Sequence, residues 1–120
     1  MTNTAAQPIA QESHQFLDWV NLTLHREIAA RLQADAETLL ERARQNIQRW
    51  KPAHAGTLSE AALVEWENLL ATKNLDELIA IITEDSDEGQ RLRQSTPFTG
   101  ILTQAVRDEL WRRCEKATIS

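Results

Sequence analysis

Apolar residues recur at steps of three and four along most of the chain, the spacing that gathers side chains on one face of an α-helix. From Glu12 the series runs Leu17, Val20, Leu24, Ile28 and Leu32, and a second runs Ala36, Leu40, Ala43, Ile47 and Trp50. The two join at a step of four, so the pattern permits one helix of nearly forty residues. Asp35 is a good N-cap, and so long a helix is unusual in a small domain, which favours two helices broken near Ala34-Asp35. The stretch from Lys51 to Gly56 interrupts the periodicity. Pro52 disfavours helix at the residue before it, and Gly56 tolerates a positive φ.

Two capping signals follow. Thr57-Leu58-Ser59-Glu60 reads as a capping box, in which Thr57 caps a new helix and Glu60 reaches back; Ala62, Trp66, Leu69 and Leu70 form its apolar face. Asn74-Leu75-Asp76-Glu77 repeats that logic and starts a short helix through Leu78, Ile79 and Ile82. An acidic run from Glu84 to Glu88 ends at Gly89, and a short helix is expected over residues 90–94. Thr96-Pro97-Phe98-Thr99-Gly100 is turn-rich, with Phe98, Ile101 and Leu102 tucking inward. Thr103 then caps a last helix whose apolar positions are Val106, Leu110, Cys114 and Ala117. No stretch alternates apolar and polar residues as a half-buried strand would. The expectation is an all-α fold of five to six helices, a bundle or orthogonal array, with residues 1–11 as a flexible tail and residues 12–120 as one helical domain.

Composition agrees, since the chain has only three glycines and three prolines in 120 residues, too few to interrupt many helices. Cys114 is the only cysteine, which excludes an intrachain disulfide framework. Its helical spacing from Val106 and Leu110 marks it as a buried thiol. Without a signal-peptide pattern or a long apolar segment, the expected location is the cytoplasm and no membrane is expected. Of the four tryptophans, Trp19 and Trp111 sit beside their helices' apolar stripes and form the pair expected at the surface, where tryptophan serves interfaces.

The net charge of −5 is uneven. Residues 1–50 carry five basic and six acidic side chains, residues 51–90 two and nine, and residues 91–120 six and three. Acidic balance argues against non-specific nucleic-acid binding. The basic last quarter leaves one local patch, Arg107, Arg112, Arg113 and Lys116, as the nucleic-acid-binding alternative of a transcriptional regulator. The helices beginning at Leu58 and Leu75 meet at a short turn, but the second carries Asp76 and Glu77 and no cation before Glu84, a poor recognition helix.

No catalytic, cofactor or metal constellation emerges. His14 and His25 lie eleven residues apart, about 16 Å of helical rise, too far to share a metal. Each histidine, with His54, reads most simply as a surface or cap residue. The acidic run lacks a calcium loop's spacing, with Gln90 where glycine is required and Thr96 where the bidentate glutamate belongs. Phosphate-loop and nucleophile-elbow patterns are absent.

The stretch from Gly89 to Gly100 is specified beyond helix formation. Arg91 and Arg93 offer forks for a phosphate or a partner carboxylate, against the simpler use of bridging to the acidic helices of residues 60–88. Arg91, Arg93, Phe98 and Trp111 are therefore the candidate partner-binding residues. This stretch with Leu102 and the final helix, and Ala43-Arg44-Gln45-Asn46-Ile47-Gln48-Arg49-Trp50, resembles a group of small all-helical bacterial proteins of unassigned function, sometimes encoded beside toxin–antitoxin genes. The resemblance implies an antitoxin-like regulator and assigns no site residue. Together these observations point to a non-catalytic adapter or inhibitor that binds another protein, itself a possible homodimer.

Overall fold

The computed structural model describes residues 2–119, with side chains from His14 to Ala117, so the segment expected to be a tail lies outside the described side chains. Six α-helices follow one another: α1 (Thr2–Ala34), α2 (Ala36–Trp50), α3 (Leu58–Thr72), α4 (Leu75–Ile82), α5 (Asp87–Gln94) and α6 (Gln104–Ile119). One turn of 3-10 helix, Pro52–His54, links α2 to α3. No strand occurs among the described residues, and the fold is an all-α array.

The chain breaks between α1 and α2 at Asp35, whose φ of −150° and ψ of 66° leave helical space. Asp35 makes no side-chain capping bond there, so it marks the break without capping α2. Local chemistry accounts for the later boundaries. Thr57 Oγ1 accepts the Glu60 amide, but Glu60 Oε1 reaches one residue beyond the expected partner and accepts the Gly56 amide at 3.0 Å. At α4 the reciprocal box is complete: Asn74 Oδ1 accepts the Glu77 amide at 2.8 Å, and Glu77 Oε1 accepts the Asn74 amide at 3.0 Å. Helix α5 starts earlier than expected because Ser86 Oγ accepts the Gly89 amide, bringing Asp87 and Glu88 into its first turn. Carboxylates there oppose the positive end of the helix dipole. Thr103 Oγ1 accepts the Val106 amide and caps α6.

Helix α1 packs against α2, α4, α5 and α6, while α3 packs on α2 and the 3-10 turn. Trp66, Leu32, Ile47, Leu78, Ile82 and Phe98 fill the centre. Their burial is the main source of stability, at about 1.5–3 kcal/mol for each fully buried large apolar side chain. The buried stripe of α1 is wider than its predicted series and rotated from its start. Leu22, His25 and Ala29 are buried with Val20, Ile28 and Leu32, whereas Leu17 is exposed. Leu63 joins Trp66 and Leu70 on the inner side of α3, while Ala62 is only partly covered. Cys114 is buried as expected and its thiol lies 3.6 Å from Thr23 Oγ1 of α1; Ala117 is exposed.

Candidate functional site: a clamped loop and an aromatic surface patch

The loop of residues 95–103 crosses α1, α2 and α3, and polar side chains from α2 hold its backbone while one from α1 holds a loop hydroxyl. Asn46 lies on the inner face of α2 and donates through Nδ2 to Pro97 O at 2.9 Å and to Thr99 O at 3.1 Å. Arg42, one turn earlier, donates to Gly100 O at 3.0 Å. Gly100 adopts a φ of +87°, the left-handed region in which a side chain is strained, so the turn into α6 calls for glycine. On the other side, His25 Nε2 lies 2.9 Å from Thr96 Oγ1, and His25 Nδ1 lies 2.8 Å from Asn21 O. A carbonyl only accepts, so Nδ1 carries the proton, Nε2 is the acceptor, and the Thr96 hydroxyl donates to it. The same hydroxyl oxygen accepts the Phe98 amide at 3.2 Å. Phe98 then meets Trp66 edge to face, with ring centroids 5.9 Å apart, and Trp66 Nε1 donates to Leu92 O at 2.9 Å.

Histidine 25 corrects the surface reading, being 2% exposed. Burial drives its pKa down to about 4, against the hydrogen bond to Asn21 that favours the cation, with the Arg93 charge lowering it further. At neutral pH the ring is uncharged, as the Thr96 bond requires, and both nitrogens are engaged. Asn46 and His25 escaped the sequence reading because each occupies a register position where apolar neighbours are normal. That register was itself the available signal, since a polar residue at a core position must find partners.

The four candidate partner-binding residues separate. Arg91 is half exposed and donates from Nη1 and Nη2 to Glu65 at 2.9 and 2.8 Å, and also to Glu88. These bonds hold the Glu65 and Glu88 carboxyls below the usual carboxylate range. Arg91 thus does what the simpler reading gave it, tying α5 to α3. Arg93 is 1% exposed, and its Nη1 donates to Glu84 O at 2.7 Å and Ile82 O at 3.3 Å, closing the end of α4 from inside. Phe98 is 1% exposed. Neither Arg93 nor Phe98 faces a partner, because packing has placed both in the interior. Trp111 alone of the four presents an apolar surface, at 39% exposed.

Trp111 has company. Phe16 of α1 meets it edge to face with centroids 5.1 Å apart, and meets Trp19 likewise at 6.5 Å. Trp19 is 36% exposed and Leu17 50%. The two tryptophans expected at the surface therefore lie there together, bridged by Phe16.

The alternative cationic set, Arg107, Arg112, Arg113 and Lys116, is exposed along α6. Arg112 and Arg113 both pair with Glu109, at 3.1 and 3.4 Å, and hold its carboxyl below the ordinary range. Four cations share α6 with three carboxylates, so the face is mixed in sign where phosphate contacts call for a clustered positive field.

One cleft opens beside the clamped loop and another away from it. One of about 300 Å³ is bordered by Trp50, His54, Ser59, Gln94, Ser95 and Thr99. Another of about 210 Å³ lies between α1 and the α4–α5 junction. Among the described residues no three His, Cys, Asp or Glu side chains are placed to hold a metal ion, and no helix is long and apolar enough to cross a membrane. Fold and site together define a small all-α array organised around a clamped loop. No family model matches the chain, and no curated protein or solved structure is similar to it.

Proposed function

We propose that the chain is a non-catalytic protein-interaction module, an adapter or an inhibitor of the antitoxin kind, and that it binds its partner through the Phe16–Trp19–Trp111 patch. The observation carrying this reading is that three aromatic side chains from two helices meet at the surface, where each tryptophan keeps more than a third of its area open. Large aromatics dominate interface energetics, because they bury much area at little conformational cost. The polar constellation around the loop supports the same reading, since His25, Asn46 and Arg42 are occupied in holding the loop in place.

The test is capture of partners from host lysate with tagged full-length protein, in arms with nuclease and with high salt. We expect one stoichiometric protein partner to survive both treatments. The Trp111→Ala variant should lose it while its unfolding midpoint moves by no more than the ~1 kcal/mol that an edge-to-face contact contributes. Arg91→Ala should retain it. A partner captured equally by Trp111→Ala, or released by nuclease, would sink the proposal.

A further inference from the structure

The cavity between α1 and the α4–α5 junction is lined by Gln15, Asp18, Trp19, Asp85, Gln90 and Arg93, with Leu22 at its side. Arg93 is the informative group. One nitrogen, Nη1, is spent on the carbonyls of Ile82 and Glu84, whereas buried Nε and Nη2 have no hydrogen-bond partner among the described residues. These two carry parallel N–H bonds along one edge of the guanidinium, the edge that receives a carboxylate in a two-point contact. Buried donors without an acceptor are rare in folded proteins, so this edge calls for one.

Backbone geometry fixes the fork in place. A Cβ on Gly89 would stand 2.1 Å from Glu84 O and 3.0 Å from Arg93 Nη1, so the absence of a side chain there lets α5 approach the carbonyl that Arg93 grips. Asp18 and Asp85 line the same cavity without pairing with the free edge. A simple anion entering would meet two carboxylates, and a simple cation would meet the guanidinium. A molecule carrying both charged groups on one carbon satisfies both demands. We propose that this cavity binds a free α-amino acid, its carboxylate on Arg93 Nε and Nη2, its ammonium toward Asp18 and Asp85, and its side chain against Trp19 and Leu22. The volume of about 210 Å³ suits a ligand of that size; it lies below the ~300–1,000 Å³ of pockets for larger molecules. Nε and Nη2 are closed over, so a ligand reaches them only when a lining side chain such as the exposed Gln15 turns aside. This site shares Trp19 with the partner contact proposed above but is not lined by Trp111, so Trp111→Ala should leave amino-acid binding intact while abolishing partner capture.

The experiment is an NMR titration of ¹⁵N-labelled full-length protein with each of the twenty L-α-amino acids to ~10 mM, a weak-binding range. The readout is the indole N–H resonance of Trp19, assigned with Trp19→Phe. We expect a subset of amino acids to shift it. The deaminated acid and the decarboxylated amine of the best binder should each bind roughly tenfold or more weaker, as should folded Asp18→Asn and Asp85→Asn variants. Arg93→Lys keeps a cation for Glu84 O but lacks the fork and should not bind. If it fails to fold, the two aspartate variants still decide the matter. The proposal is overturned if no amino acid moves the Trp19 resonance, if the deaminated acid binds as well as its parent, or if both aspartate variants bind unchanged.

Discussion

His25 is held neutral in a site that leaves its proton no advantage, and this has a consequence with a definite sign. Its folded pKa of about 4 lies below the ordinary 6.5, so between those values the unfolded chain binds the proton more readily than the folded one. The stabilising difference is complete above pH 6.5 and is lost as pH falls toward 4. The full shift corresponds to roughly 3 kcal/mol. Urea unfolding of the native chain and of His25→Gln across that range should show the native chain losing up to that much more; parallel profiles would remove His25 as the cause. Asn46 tests the other arm of the clamp. Asn46→Asp keeps the shape but faces the carbonyls of Pro97 and Thr99 with acceptors only, and Asn46→Ala leaves both carbonyls without their donor. We expect Ala to cost about 1–3 kcal/mol in denaturant melts, with Asp costing more. Neither residue's role was legible in the sequence, because its partners lie 71 and 51–53 positions away and periodicity speaks only of near neighbours. What was legible, the inward turn of Phe98, Ile101 and Leu102, needed only the hydrophobicity of those residues.

At the level of elements, most starts encoded within four residues were readable, the Ser86 cap of α5 being the one missed, and faces were less so. The box at Asn74 and the single caps at Thr57 and Thr103 are local chemistry, and each starts its helix where the sequence places it. The faces of α1 and α5 depend on what packs against them. Arg91 and Arg93 are two residues apart, which on a helix turns them about 200° from each other. One therefore reaches Glu65 in solvent while the other is driven under α4. Nothing in their shared side-chain type distinguishes these fates. Their mutational costs should differ accordingly: Arg91→Ala removes exposed, solvent-screened ion pairs and should barely move the denaturation midpoint, with any loss declining as salt is added. Gly89 bears on the same junction. A methyl group there must displace the Glu84 carbonyl, which is backbone and cannot rotate away as a side chain would. Gly89→Ala should therefore destabilise by about 1–3 kcal/mol despite the better helix propensity of alanine, as read by chemical denaturation. A neutral or stabilising outcome would mean that α5 can move off α4 freely.

Across the whole molecule, the Gly89–Gly100 stretch singled out in the sequence is gripped by the other stretch that carries the resemblance: Asn46 donates to Pro97 O and Thr99 O. This long-range contact joins α2 to the loop leading into α6. Helix α1 packs on four other helices, and the same loop is bonded to it through His25 and Thr96. An irregular segment of this kind ordinarily opens locally, exchanging its amide hydrogens far faster than the core. Here local opening must break the bonds from His25, Asn46 and Arg42 and withdraw Phe98 from Trp66, which dismantles the contacts between helices as well. The loop and the core should therefore open as one unit. In native-state hydrogen exchange, the amides of Phe98, bonded to Thr96 Oγ1, and Ile101, bonded to Phe98 O, should exchange with the free energy of the slowest helical amides and fall with them in denaturant. In Asn46→Ala their protection should drop further than that of α4 amides. If these two amides instead exchange rapidly in the native chain while α1 and α4 remain protected, the loop is an appendage resting on a core complete without it.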